Sequence, residues 1–68
     1  MSDGVVRWFD EDKGYGFITG QDGSNIFVHY SNILMNGFKY LKEGEEVRYD
    51  VDISGKGKSA INVYRIDD

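Results

Sequence analysis

Two short segments constrain what this chain can fold into. Lys13-Gly14-Tyr15-Gly16-Phe17-Ile18 is answered, after a turn-rich loop, by Ile26-Phe27-Val28-His29-Tyr30. The odd positions from 15 to 29 in these segments carry rings: Tyr15 and Phe17, then Phe27 and His29. The even positions between them are small or aliphatic: Gly16, Ile18, Ile26 and Val28. Successive side chains of a strand point to opposite faces, so each segment reads as a strand with one aliphatic and one aromatic face. Pairing the two through the loop at 20–25 gathers the rings on one side and Ile18, Ile26 and Val28 on the other. So small a domain has one interior, and the aliphatic side chains are its better filling. The rings are left facing solvent, and an exposed aromatic patch marks a binding surface.

At 68 residues the chain reads as one domain, 1–68, near the lower size limit for folding alone. It has no cysteine, so neither a disulfide nor a thiolate metal site can staple it. No apolar run approaches the roughly 18 residues of a membrane span, and Met1-Ser2-Asp3-Gly4 lacks the basic and apolar regions of a signal peptide. The expectation is a soluble, cytoplasmic monomer with no membrane association. The net charge of −4 argues against capture of nucleic acid by charge alone. Acids gather at Asp10-Glu11-Asp12, from Glu43 to Glu46, at Asp50 and Asp52, and at Asp67-Asp68. Arg7 and Lys13 lie beside the aromatic segments, and Lys39, Lys42, Lys56 and Lys58 fall in later loops. Binding by such a chain has to rest more on stacking than on many phosphate contacts.

The rest of the chain supplies further strands. Val5-Val6-Arg7-Trp8-Phe9 is rich in strand-favouring residues and ends in the acidic turn 10–12. Its parity is irregular: for Trp8 to join the aromatic face while Val6 stays inside, a bulge or strong twist is needed. The second strand covers about 15–19, the third about 26–29, with Gly20-Gln21-Asp22-Gly23-Ser24 turning between them. Ser31-Asn32 opens a short helical turn that sets Ile33 against the core. Val47, Tyr49, Val51 and Ile53 alternate with Arg48, Asp50 and Asp52 as a half-buried strand. After the basic loop 54–58, residues 59–66 make the last strand, with Ile61 and Val63 expected inside. Five short strands with glycine-rich turns point to an all-β fold, a small five-stranded antiparallel OB barrel. Closure removes unpaired edges, and the strand 2–3 face of such barrels is a nucleic-acid surface.

Trp8, Tyr15, Phe17, Phe27, His29, Tyr30 and Phe38 form the expected stacking platform. Every base has a π-face, so exposed rings bind single strands with little sequence demand, at roughly 1–3 kcal/mol per base. The competing reading puts rings in the core; it holds for Phe9 and Tyr49, with Tyr40 structural and Tyr64 open. Gly16 lets the strand bend sharply, and its bare Cα also offers a base an approach to the sheet. His29 is the only histidine and has no cysteine neighbours, so it suits stacking or hydrogen bonding to a base better than a metal. Asp10, Glu11 and Asp12 read as a solvated turn, because consecutive residues converge poorly on one ion. Arg7, Lys13 and Lys56 are candidate phosphate contacts. No catalytic set, metal site, cofactor motif or Walker-type phosphate loop is evident.

The two segments together resemble the paired ribonucleoprotein motifs of the cold-shock domain. Trp8-Phe9 before them, Asp12-Lys13, Ser31 after them and Glu43-Gly44 downstream add to the likeness, which runs through essentially the whole chain. The resemblance implies an OB barrel that binds single-stranded RNA and DNA. It further implies an ATP-independent RNA chaperone, with effects on transcription and translation during cold or stress. It carries the contact set Arg7, Trp8, Lys13, Tyr15, Phe17, Phe27, His29, Tyr30, Phe38 and Lys56. Three departures stand out. Asn25 occupies a position commonly acidic in the family, and an amide donates as well as accepts, which adds Asn25 to the set as a determinant of base preference. Gly57 stands where a proline is usual, which loosens the loop around Lys56. Arg7 and Asp10 replace the more usual Lys and Asn.

Two other classes compete with a nucleic-acid-binding module. A protein-interaction barrel would use the same rings to hold a peptide, and the negative charge lends it some weight. An enzyme such as a nuclease would need convergent metal ligands for cleavage, and the sequence offers no such set; no small-molecule substrate is expected.

Overall fold

A computed structural model describes residues 1–35, 40–53, 55 and 57–66 of the chain. Five strands, β1 (Ser2–Asp10), β2 (Tyr15–Gly20), β3 (Asn25–His29), β4 (Glu46–Asp52) and β5 (Ser59–Arg65), are joined by turns, with a 3-10 turn at Tyr30–Asn32 after β3. They close a barrel in the order β1-β2-β3-β5-β4, with β4 returning to β1. The fold is the all-β, five-stranded OB barrel expected. Its seams are antiparallel except β3–β5, which pair in parallel at Phe27–Ser59 and Val28–Ala60. No helix among the described residues is long and apolar enough to cross a membrane.

The core follows the aliphatic parity of the central strands. Ile18, Ile26 and Val28 are buried with Val6, Ile33, Leu41, Val47, Tyr49, Ala60 and Val63, and Phe9 and Met35 pack against this cluster. Ile33 reaches it because the 3-10 turn ends there, its amide donating to the Tyr30 carbonyl at 3.1 Å. Tyr40 is held by Arg65, whose guanidinium lies over the ring, 5.5 Å from its centroid, and donates to the Tyr40 carbonyl at 3.3 Å.

The irregular parity of the first strand is resolved by a bulge. Val6 pairs with Ile18, but Trp8 pairs with Phe17, so Arg7 is the extra residue and the register shifts there. Val6 therefore points inward while Arg7 and Trp8 both emerge. Gly16 makes this crossing possible. It faces inward, and a Cβ there would collide with the Trp8 carbonyl oxygen and lie 2.7 Å from the Phe9 Cα. The expected approach of a base to Gly16 is thus incorrect, because the space beside its Cα is filled by the backbone of β1.

Two core expectations also fail. Val51 and Ile53 are exposed, because β1 pairs with β4 only from Tyr49 back to Glu46 and the inner face beyond opens at the barrel end. Ile61 is only partly buried, whereas Ala60 and Val63 are fully so. Asn62 takes a positive φ of 53° and the β4–β5 register shifts between Arg48 and Asp50, which breaks the two-residue alternation.

The β1–β4 seam carries a cross-strand ion pair, in which Arg48 Nε donates to Asp3 Oδ1 at 2.8 Å. That hydrogen bond holds the Asp3 carboxyl below its ordinary range. A lowered carboxylate adds stability above its unfolded pKa and loses it as pH falls through the folded pKa. Denaturant midpoints of the wild type and Asp3→Asn should therefore differ near neutrality and converge as pH drops from about 5 to about 2. Gly16→Ala should cost at least about 2 kcal/mol by the same measurement, since its clash is with backbone. Gly57→Ala, with open space and no positive φ, should be neutral to within about 0.5 kcal/mol or slightly stabilising.

Candidate nucleic-acid interface

The registers of β1, β2 and β3 arrange the outward side chains as a grid. Tyr15 lies between Asp10 and His29, Phe17 between Trp8 and Phe27, and Thr19 between Val5 and Asn25. Four rings close a circuit: Trp8–Tyr15 at 5.9 Å, Tyr15–Phe27 at 5.8 Å, Phe27–Phe17 at 5.8 Å and Phe17–Trp8 at 5.5 Å between centroids. The interplanar angles run from 32° to 74°, so each contact is tilted or edge-on. Such pairs support one another at about 0.5–1.5 kcal/mol each. They do so without burying one ring face flat against the next, which leaves π-surface for a ligand. Trp8 and Phe27 are exposed at 39% and 37%, and Tyr15, Phe17 and His29 are half-buried.

The upper end of the grid is set by the turn between β1 and β2. Asp10 Oδ1 accepts from the amides of Asp12 and Lys13 at 3.0 Å, so this acid caps its own turn. No cluster of three or more His, Asp or Glu placed to hold an ion occurs among the described residues. Gly14 closes the turn with a φ of +79°, and Tyr30 lies over it: a Cβ there would sit 2.5 Å from the ring. The Tyr30 amide donates to the Gly14 carbonyl at 2.8 Å, and its ring meets that of His29 at 4.5 Å. His29 Nδ1 accepts from the Ser31 amide at 3.3 Å and lies 2.9 Å from the Ser31 hydroxyl. An amide can only donate, so the neutral ring carries its proton on Nε2, a donor for a ligand.

The charges sort by location. Arg48 pairs with Asp3, Lys58 with Asp22 and Arg65 with Glu45, Lys58 doing so although its carbonyl accepts from the amide of Phe27. Arg7 and Lys13, beside the rings, have no carboxylate partner among the described residues. Arg7 instead donates from Nη1 to Asn25 Oδ1 at 3.2 Å, so two of the noted departures meet in one hydrogen bond.

Of the expected contact set, the structure brings together Arg7, Trp8, Lys13, Tyr15, Phe17, Asn25, Phe27, His29 and Tyr30. Phe38 and Lys56 lie outside the described residues. Thr19 joins the face and was missed, although its odd position in the second strand gives it the parity of Tyr15 and Phe17. Ser31, read only as part of a motif, orients the His29 ring.

Residues 2–66 match the 'Cold-shock' DNA-binding domain family. The chain belongs to the cold-shock domain family. It is 54% identical over 63 residues to Cold shock protein 1 of Lactiplantibacillus plantarum, covering 93% of this chain and 96% of the relative. It is 42% identical over 66 residues to the Major cold shock protein of Streptococcus pyogenes, covering 97% and 98%. The solved Drosophila Unr CSD456 structure superposes with a TM-score of 0.79 at 18% identity, over 96% of this chain and 26% of that one, which is a likeness of fold.

In this cold-shock domain the two faces of β3 should respond differently to truncation. Phe27→Ala should cost about 1 kcal/mol of stability, the loss of one tilted and one edge-on ring contact at the exposed surface. Val28→Ala, in the wholly buried core beside it, should cost about 2–3 kcal/mol; urea denaturation of both variants checks the contrast.

Proposed function

We propose that this protein binds single-stranded RNA and DNA on the grid of rings. On this reading it acts as an ATP-independent RNA chaperone, a single domain working as a cytoplasmic monomer with consequences for transcription and translation in cold or stress. The observation that carries the reading is the closed circuit of Trp8, Tyr15, Phe27 and Phe17, tilted so that π-faces stay available. Membership of a DNA-binding domain family and similarity to proteins named for cold shock support it.

The mechanism is equilibrium binding. A base in a duplex is already stacked and paired, so the rings reach it only after it unpairs. By holding unpaired bases at roughly 1–3 kcal/mol each, the surface draws RNA out of transient secondary structure without ATP and without bond chemistry. Trp8, Tyr15, Phe17, Phe27, His29, Tyr30 and Phe38 supply the stacking. Arg7, Lys13 and Lys56 supply the positive charge that draws in the phosphates, and Asn25 meets a base edge. No cofactor, metal or small-molecule substrate enters this scheme.

Trp8 is the only tryptophan, so its emission reports directly on the face. Titration with short oligothymidylate should quench it, an equal length of duplex should not, and the log–log salt slope should be shallow, about −1.4 to −2.1, for two or three phosphate contacts. Absence of both quenching and binding by a folded sample would overturn the reading and assign the rings to a protein partner.

A further inference from the structure

We infer that Arg7 and Asn25 form a single all-donor reading head. It selects, at one position of the bound strand, a base with two adjacent acceptor atoms on its accessible edge: cytosine through O2 and N3, or guanine through O6 and N7. The inference rests on the proposed single-strand binding and specifies which base that surface takes at its Asn25 end.

A free asparagine is an undiscriminating reader, because its amide flips to offer either the oxygen or the nitrogen. Here the flip is settled by chemistry. Arg7 has five N–H donors and no acceptor, so the Asn25 atom 3.2 Å from its Nη1 must be the carbonyl oxygen. The Asn25 NH2 is consequently turned away from Arg7, with no protein partner among the described residues.

The bulge explains how the two residues meet. They are 18 positions apart on strands that are not neighbours, with β2 between them. As the extra residue between Val6 and Trp8, Arg7 is free of the pairing that aims its neighbours, and its long side chain reaches across β2 to β3. Asn25 shares the outward parity of Phe27 and His29, so it adjoins the ring circuit. A base stacked at this end of the platform therefore turns its edge toward the Asn25 NH2 and the remaining Arg7 N–H groups.

The complementarity follows from the base edges. No edge of adenine, uracil or thymine offers two adjacent acceptors: adenine sets N1 and N7 beside N6–H2, and the pyrimidines place N3–H between their two carbonyls. Against the reading head, that donor faces N–H groups and a guanidinium charge. Cytosine and guanine each offer an adjacent pair of acceptors. The bidentate Asn–adenine match, which needs the oxygen as well as the nitrogen, is hindered because Arg7 already occupies Oδ1.

The experiment is a base scan of hexathymidylate in which each position in turn is changed to cytosine, guanine or adenine, read by Trp8 quenching. In the wild type, one position should gain about fivefold in affinity with cytosine or guanine over thymine, and adenine there should gain nothing. Asn25→Asp replaces the donor with an acceptor-only group, so the preference at that position should reverse toward thymine, whose N3–H it accepts. Arg7→Met releases the amide flip, so the ratio of cytosine to thymine affinity should fall to within about twofold even as overall affinity drops. Equal ratios at every position in the wild type, or a ratio unchanged by Asn25→Asp, would overturn the inference while leaving the stacking platform standing. Failure of the wild type to bind any hexamer would remove the platform and the reading head together.

Discussion

The in-register antiparallel pairing of β2 with β3 determines both the interior and the surface of this protein. One register sends Gly16, Ile18, Ile26 and Val28 inward and Tyr15, Phe17, Phe27 and His29 outward. A slip of one residue would exchange the two sets. Relative magnitudes say which set holds the register. Burying each aliphatic side chain is worth about 1.5–3 kcal/mol, against about 0.5–1.5 kcal/mol for a surface ring pair. The core selects the register, and the position of every ring follows from it. The rest of the barrel accommodates that choice: β1 bulges at Arg7 to bring Trp8 beside Phe17, and Gly16 yields the room for it to cross.

An acidic protein that binds a polyanion needs its charges in the right places more than it needs a favourable total. The ion pairs of Arg48, Lys58 and Arg65 are partly exposed, and such pairs are worth about 0–1 kcal/mol each. Their larger consequence is positional, since of the cations near the rings Lys58 is paired with Asp22 while Arg7 and Lys13 have no carboxylate partner among the described residues. At physiological salt the screening length is about 8 Å, so a phosphate on this face responds mainly to the nearest charges. Stacking then supplies most of the affinity, and the two cations draw the strand to this face.

Much of this was legible in the residues. The alternation at 15–18 and 26–29 identified the central hairpin, and the conflict between Val6 and Trp8 called for a bulge or strong twist, of which the barrel contains the bulge. Burial of Ile33 behind a short turn was legible too. Val51, Ile53 and Ile61 were misplaced because periodicity describes a strand as though both its neighbours ran its whole length. β4 outruns β1, and Asn62 resets the phase of β5. Thr19 went unnoticed because a threonine carries no chemical signal of its own; only the strands on either side give it a place.

The sequence by itself determined the family, the strand count and which residues of the central hairpin face outward, because local alternation and apolar burial are properties of neighbouring positions. Only the tertiary structure decided which side chains meet. The ring circuit draws on three strands, the pairing of remote cations on residues up to 45 positions apart, and the Arg7–Asn25 hydrogen bond on strands separated by a third. Those contacts depend on barrel closure and on one bulged residue, and a side chain that spans two strands reads nothing until the strands between are in place.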